Sequence, residues 1–328
     1  MASPRLRALP GGAAARTQPA GVLAGAPLSR IDGPADALAL VGTEMAAAEA
    51  ALRDLVVSDV RAVPAVATYL VDAGGKRLRP ALTALGARAV QWSSPNLPQL
   101  MCVGELIHLG SLLHDDVVDD AASRRNRDAT HKVYGNAVTI LTGDFCLARA
   151  VLLASEAGGH RAVTELARAV TAMAEGEVLQ LQRSGDLSAT LDEYLELIDK
   201  KSAALISWCA AAGALAKGDD RAADILGRYG RNVGVAFQVT DDVLDYQGGT
   251  GKTPGADLRE RKVTLPLLFA AERDPGIVER LLDHAPTDAE LPDLIERVRA
   301  TGALDRALSW ARGRVDGALN DLGGLPDA

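Results

Sequence analysis

Aspartates crowd two short stretches of this chain, at 115, 116 and 119 and again at 241, 242 and 245. The stretches Asp115-Asp116-Val117-Val118-Asp119 and Asp241-Asp242-Val243-Leu244-Asp245 share one five-residue pattern. On a helix, residues four apart lie one above the other, so Asp115 stacks over Asp119 and Asp241 over Asp245. Three carboxylates in little more than one turn repel each other unless a cation binds. Hard oxygen donors in such a cluster suit Mg2+, which keeps waters and is usually shared with substrate phosphates. A solvated acidic face would explain one motif. Two copies, each following apolar residues (Leu112-Leu113 and Phe237, Val239), favour a metal site.

The residues leading into the first motif share its face. Gly104, His108, Ser111, Asp115 and Asp119 follow steps of three and four, which makes a small, polar stripe on one side of a helix. Such a stripe fits a cavity wall as well as close helix packing. Basic residues come in short sets near both motifs: Lys76 and Arg79 in Gly74-Gly75-Lys76-Arg77-Leu78-Arg79-Pro80, then Arg124-Arg125, then Lys201, Lys252 and Lys262. That placement suits a substrate pair with two polyanionic groups, one held through metal and one directly by Lys and Arg.

The elements that must position these residues are helical. Aromatics make up only 3% of the 328 residues while apolar residues reach 48%, so the core is Ala, Leu and Val, which favours helix packed on helix. Apolar residues recur every three or four positions over 35–57, 99–121, 138–156, 161–183, 190–216, 220–246, 262–272 and 289–320. No run alternates with period two over a strand's length. The expectation is one all-α domain over 35–328, preceded by a disordered tail over 1–34. The tail carries Arg5, Arg7, Arg16 and Arg30 and no acid up to that point, which also fits a transit peptide.

Charge and composition exclude several classes. A net charge of −8 argues against non-specific nucleic-acid binding, which needs clustered cations. The apolar run 203–216 is shorter than the roughly 18 residues of a membrane span, so no transmembrane segment is expected. Cys102, Cys146 and Cys209 are too scattered for a disulfide framework or a zinc site and read as buried thiols of a cytoplasmic protein. Gly249-Thr250-Gly251-Lys252-Thr253 suggests a phosphate loop, but the required glycine at 246 is Tyr246 and a helix precedes it. A His/Asp phosphohydrolase would need more histidines than the five present, and would leave the second acidic motif unexplained.

Taken together, GGKRLRP at 74–80, ELIHLGSLLHDDVVD at 105–119, RR at 124–125, YGNAVTILTGDF at 134–145, EGEVLQL at 175–181, KS at 201–202, FQVTDDVLDY at 237–246, GKTPGADL at 251–258 and KVTLPLL at 262–268 resemble the trans-isoprenyl diphosphate synthase (polyprenyl synthetase) family. The resemblance implies an all-helical fold around a deep cavity, a homodimer, and two to three Mg2+ ions. It implies that Asp115, Asp116 and Asp119, facing Asp241, Asp242 and Asp245, hold Mg2+ on an allylic diphosphate. Arg124, Lys201 and Lys252 resemble that diphosphate's cationic ligands. Lys76, Arg79, His108 and Arg125 resemble the isopentenyl diphosphate site. Gln238 and the Lys201-Ser202 segment resemble dipoles facing an allylic cation, and Lys262 belongs with the substrate-binding cations. Ser202 stands where the family commonly has Thr, Ala204 where Arg or Gly is frequent, and Asn126 where Gly is usual. Gln180 resembles long-chain members rather than short-chain ones. A class I terpene cyclase lacks a second motif of this kind, and a non-catalytic synthase subunit would be expected to lose its acidic motifs.

Product length follows from the same helix. A turn rises about 5.4 Å, roughly one isoprene unit, so Gly110 and Ser111 form the first possible floor below Asp115. Neither blocks a growing chain. Ile107 is the next level, and Gly104 suggests a further gap. The expected product is longer than geranylgeranyl diphosphate, with a short-chain farnesyl or geranylgeranyl product as the alternative.

Overall fold

The computed structural model describes residues 33–124, 127–247 and 254–325. Arg125 and Lys252 lie outside the described residues, as do 1–32 of the expected tail and the segment 249–253. Helix α1 (Pro34–Ala39) belongs to one compact unit and the chain from Val41 onward to another. The second unit holds α2 (Gly42–Leu55), α3 (Ala62–Val71), α4 (Leu78–Ala89), α5 (Leu97–Val118), α6 (Thr130–Tyr134), α7 (Asn136–Leu153), α8 (Gly159–Gln182) and α9 (Leu191–Ile198). It continues through α10 (Ala204–Lys217), α11 (Asp220–Gln247), α12 (Ala256–Arg259), α13 (Leu265–Ala271), α14 (Gly276–Asp283), α15 (Leu291–Ala300) and α16 (Ala303–Leu322). The only strands among the described residues are β1 (Ser123–Arg124) and β2 (Arg127–Asp128), an antiparallel pair with Ser123 opposite Asp128. The architecture is all-α, as the periodicity requires.

Several boundaries differ from the periodic pattern, each for a local reason. Helices α3 and α4 were not expected, because Pro64 and Pro80 and the Gly74-Gly75 pair obscure the pattern; both prolines sit in a first turn, where no helical N–H is lost. The run 289–320 breaks at Gly302, whose left-handed backbone (φ 75°) separates α15 from α16. The run 190–216 is not one helix. Residues Asp199–Ala203 form a π-helical turn between α9 and α10.

Two apolar cores hold these helices. One joins α2–α5, α7, α8 and α10, with Leu100, Met101, Leu106, Ile107 and Leu113 of α5 fully buried. The other joins α9 and α11–α16. Helix α11 runs from the first into the second, so a single element ties the Asp241 motif to both. By length and composition alone, the helical run 136–182 is apolar enough to cross a membrane, although the sequence suggested no such span. Its inner side packs in the first core through Cys146, Ala150 and Leu153, while Ile140, Leu141, Val151 and Leu152 are exposed.

Candidate active site

The first acidic motif ends α5, and its three carboxylates have different surroundings. Asp116 is fully buried; its Oδ1 accepts from Arg124 Nε at 2.8 Å and its Oδ2 from the Thr130 backbone N–H at 3.0 Å. It therefore ties the β1 strand and the start of α6 to the end of α5. Asp115 is half-buried and Asp119 exposed. Among the described residues, neither carboxylate takes part in a side-chain hydrogen bond. His114 faces away from the motif, toward Asp144 and the Ile140 carbonyl on α7, each at 3.2 Å. A His114-Asp115 metal pair is thus not formed.

The second motif repeats this division. A capping box of Thr190 and Glu193 starts α9 and sets the phase in which Tyr194 points inward. Tyr194 donates its hydroxyl to Asp242 Oδ2 at 2.5 Å, and Gln238 Nε2 donates to Oδ1 at 2.8 Å. Asp242 is buried, like Asp116. Asp241 is exposed. Asp245 accepts from the backbone N–H groups of Ala256 and Asp257 at 3.3 and 3.1 Å, so it caps α12 where the chain returns after α11. No group of three His, Cys, Asp or Glu among the described residues gathers into a closed metal cage. A hard cation here would share its shell with water and phosphate oxygens, the usual habit of Mg2+.

The π-helical turn lies between the motifs and carries Lys201 and Ser202. Lys201 Nζ donates to Glu177 Oε2 (2.8 Å) and Gln180 Oε1 (3.0 Å) on α8, and Ser202 Oγ donates to Gln238 Oε1 (2.6 Å) on α11. Two glycines make room for it. A Cβ on Gly176 would lie 2.7 Å from the Lys201 backbone nitrogen, and one on Gly234 would lie 2.6 Å from Ala203 Cα. The sequence ties these groups in order: Asp115 feels the Lys201 charge, Lys201 adjoins Ser202, and Ser202 bonds Gln238, which bonds Asp242. Lys262 offers a second link. It is half-buried, paired with Glu260, and acted on by the charges of Asp257 and Asp119.

The remaining cations lie near the earlier turns of α5, where Arg79 packs against Gly104. Lys76 is exposed and Arg79 half-buried. Arg79 Nε is shielded from solvent with no hydrogen-bond partner among the described residues, an orphaned donor suited to an anion. Burial correspondingly pulls the Arg79 guanidinium below its ordinary pKa. His108 is half-buried beside Arg77 and Glu105, and all three line one narrow cleft.

Without a cation the acidic groups are strained electrostatically. Burial first, and Glu177 second, push the Asp115 carboxyl up to about 6. Burial also pushes Asp242 up to about 6, against hydrogen bonds from Tyr194 and Gln238 that pull it down. Both groups bind a proton more tightly folded than unfolded, where a carboxyl titrates near about 4. Their contribution to stability is complete below that value and is lost as pH rises through about 6. The metal-free melting temperature is therefore expected to rise as pH falls from about 7 to about 5. Mg2+ with inorganic pyrophosphate should flatten the slope. Thermal melts over this range check both, and a flat metal-free profile would contradict the first.

The product-length residues need correction. Gly104 is not a gap: a Cβ there would lie 2.3 Å from Cys209 Sγ, so α10 already fills the space. Gly110 is buried where α5 packs tightly on α7, and a Cβ there would lie 3.0 Å from the Gly143 carbonyl and 3.2 Å from Leu147. Ile107 is a core residue. Ser111 alone of the set is half-buried, with its hydroxyl bonded back to the His108 carbonyl at 2.9 Å. Other residues were missed. Glu177 falls in a motif that the sequence singled out, but nothing local marks Tyr194 or Glu49 as partners of groups dozens of residues away.

Comparison with known proteins places this geometry. The polyprenyl synthetase family model matches residues 60–299. The octaprenyl diphosphate synthase of Escherichia coli strain K12 is 35% identical over 296 residues, 88% of this chain and 92% of that one. A polyprenyl synthase of Caulobacter crescentus CB15, solved with calcium and isoprenyl diphosphate, is 40% identical with a TM-score of 0.85, covering 92% of this chain and 94% of that one. A decaprenyl diphosphate synthase of Rhodobacter capsulatus is 36% identical with a TM-score of 0.81, over 90% and 94% of the two chains. With two acidic motifs, a lysine turn between them and matches along most of its length, the chain belongs to the polyprenyl synthetase family and is a prenyl-transferring enzyme.

Proposed function

We propose that the protein condenses isopentenyl diphosphate with an allylic diphosphate to give a medium- or long-chain all-trans polyprenyl diphosphate. One observation carries the reading. Each acidic motif turns one aspartate inward as a hydrogen-bonded anchor (Asp116, Asp242) and leaves others outward (Asp115, Asp119, Asp241), with the Lys201–Ser202–Gln238 chain between them.

The donor set fits divalent cations: all are carboxylate oxygens, and burial raises Asp115 although the charges of Lys201 and Arg124 pull it down, and raises Asp242 although Tyr194 and Gln238 donate to it. Asp115, Asp119 and Asp241 would hold them, while Asp116, Asp242 and Asp245 serve the scaffold. When bound, Mg2+, in two or three ions, neutralises charge on the departing pyrophosphate. Arg124, Lys201 and Lys252 bind the same group and stabilise it as the allylic C1–O bond breaks, its electron pair leaving with pyrophosphate. The Ser202 and Gln238 dipoles face the resulting allylic cation. Lys76, Arg79, His108 and Arg125 hold isopentenyl diphosphate so that its double bond forms the new carbon–carbon bond. The proton then lost from the product cation goes to pyrophosphate.

The exposed apolar residues Ile140, Leu141, Val151 and Leu152 of α7 support a homodimer through that face, and sedimentation as a monomer at assay concentration would remove this part. The three cysteines are free and buried, and unpaired cysteines suit a reducing, cytoplasmic setting. The decisive experiment incubates purified protein with Mg2+, labelled isopentenyl diphosphate and farnesyl diphosphate and resolves the products by length. A ladder extending past geranylgeranyl is expected. No incorporation of label would overturn the proposal.

A further inference from the structure

Of the three cations in the Lys76-Arg77-Leu78-Arg79 run, the middle one is turned inward. Arg77 Nε and Nη2 bond the two oxygens of Glu49 on α2 at 2.8 and 3.0 Å, and Nη1 bonds Glu105 on α5 at 2.8 Å. Nη2 also reaches the Val71 carbonyl, in the last turn of α3, at 3.3 Å. The Arg77 side chain is 13% exposed and Glu105 9%, while Glu49 is 40% exposed, so this is a multidentate clasp buried on its Glu105 side and open to solvent at Glu49. With its donors directed at protein oxygens, Arg77 is not itself placed to bind a diphosphate.

The backbone at Arg77 is unusual as well. Its φ of 49° lies in the left-handed region, which is uphill for a residue with a Cβ and persists only where the surroundings hold it. The surroundings here are the clasp. It binds the turn between α3 and α4 to three helices at once: α3 through Val71, α2 through Glu49 and α5 through Glu105. That turn carries Lys76 immediately before Arg77, and Arg79 in the first turn of α4. Glu105 lies one helical turn before His108, and its charge also acts on Arg79. A narrow cleft lined by Arg77, Glu105 and His108 sets the clasp beside one of the three ligand side chains.

We propose that Arg77 is a positioning residue for isopentenyl diphosphate: its clasp on Glu49 and Glu105 fixes the strained turn from which Lys76 and Arg79 reach the ligand, in register with His108. This rests on the reading of Lys76, Arg79 and His108 given above. Three properties follow from the geometry. The effect falls on one substrate, because Lys201 and Arg124 are held by other elements. It acts on binding more than on turnover. It is shared by Glu49, since the two side chains form one unit.

The test compares Arg77→Met, Glu49→Gln, the double variant and Lys76→Ala by steady-state kinetics with each substrate varied in turn, alongside thermal melts. Arg77→Met should raise the KM for isopentenyl diphosphate about tenfold, with kcat and the allylic KM within about twofold of the parent. Glu49→Gln should raise the same KM about threefold, and the double variant should resemble Arg77→Met alone, as expected for partners in one network. A general loss of stability would move both KM values or kcat together, and that outcome overturns the proposal. An unchanged KM for isopentenyl diphosphate in folded Arg77→Met does the same. Should Arg77→Met fail to fold, Glu49→Gln decides, because it keeps the Glu105 pair. Lys76→Ala separates the two layers: a raised KM there with none in Arg77→Met removes only the positioning role. No effect in either removes the site assignment and the proposal with it.

Discussion

Alanine at Asp115 or Asp241 is expected to lower kcat about a thousandfold, a loss of about 4 kcal/mol of transition-state stabilisation, with little change in melting temperature. Asp241 is exposed and Asp115 half-buried, and neither makes a side-chain hydrogen bond among the described residues, so the fold loses little with them. The buried aspartates should behave differently. Asn at Asp116 keeps the shape but removes the charge opposite Arg124, a pair 0% and 18% exposed. Breaking a buried pair of this kind typically costs about 3–5 kcal/mol. Asp116→Asn should therefore lose stability and activity together, and Asp242→Asn likewise through Tyr194. Steady-state assays with thermal melts distinguish the two patterns. Near-normal turnover of Asp115→Ala in Mg2+ would end the two-motif mechanism.

The second large effect concerns product length. Ser111→Phe should shorten the main product to farnesyl or geranylgeranyl diphosphate, because a ring one turn below Asp115 stands about one isoprene unit along the chain's path. Gly110→Phe is a poorer probe of the same idea. Its side chain would be driven into the Gly143 carbonyl and Leu147, and overpacking of this kind costs about 1–3 kcal/mol or more. Chromatography of dephosphorylated products against prenyl alcohol standards reads the result. A wild-type enzyme that already stops at geranylgeranyl would show that a side chain on another helix closes the path.

The long helices were readable because their apolar periods are unbroken: α5 and α11 sit within a few residues of the expected runs, and both motifs lie on them. Periodicity also placed Asp115 over Asp119 and set Asp116 apart. It did not say which face looks inward, which depends on what packs there. Asp245 illustrates the difficulty, since it stacks over Asp241 on the helix yet is occupied by the start of α12. Gly104 failed for a similar reason. An absent side chain signals a space, and only the fold shows that Cys209 occupies it. The shared turn of Lys76 and Arg79 was visible in the sequence, whereas its clasp joins residues 28 positions apart on either side.

The π-helical turn at Asp199–Ala203 has a consequence for how this chain tolerates insertion and deletion. Such a turn contains one residue more than an α-helical path between the same two ends would need. Excising one residue from it would let α9 and α10 run on as one α-helix with both flanks in place, but the widened turn itself would be lost. Lys201 and Ser202 would move off Glu177, Gln180 and Gln238, and the close fit against Gly176 and Gly234 would be undone. Loops such as 184–189 can change length without such an effect. Across homologues, residue count should drift in those loops and stay fixed to the single residue through 199–203, and a relative with a gap there would have had to rebuild the seat of its lysine.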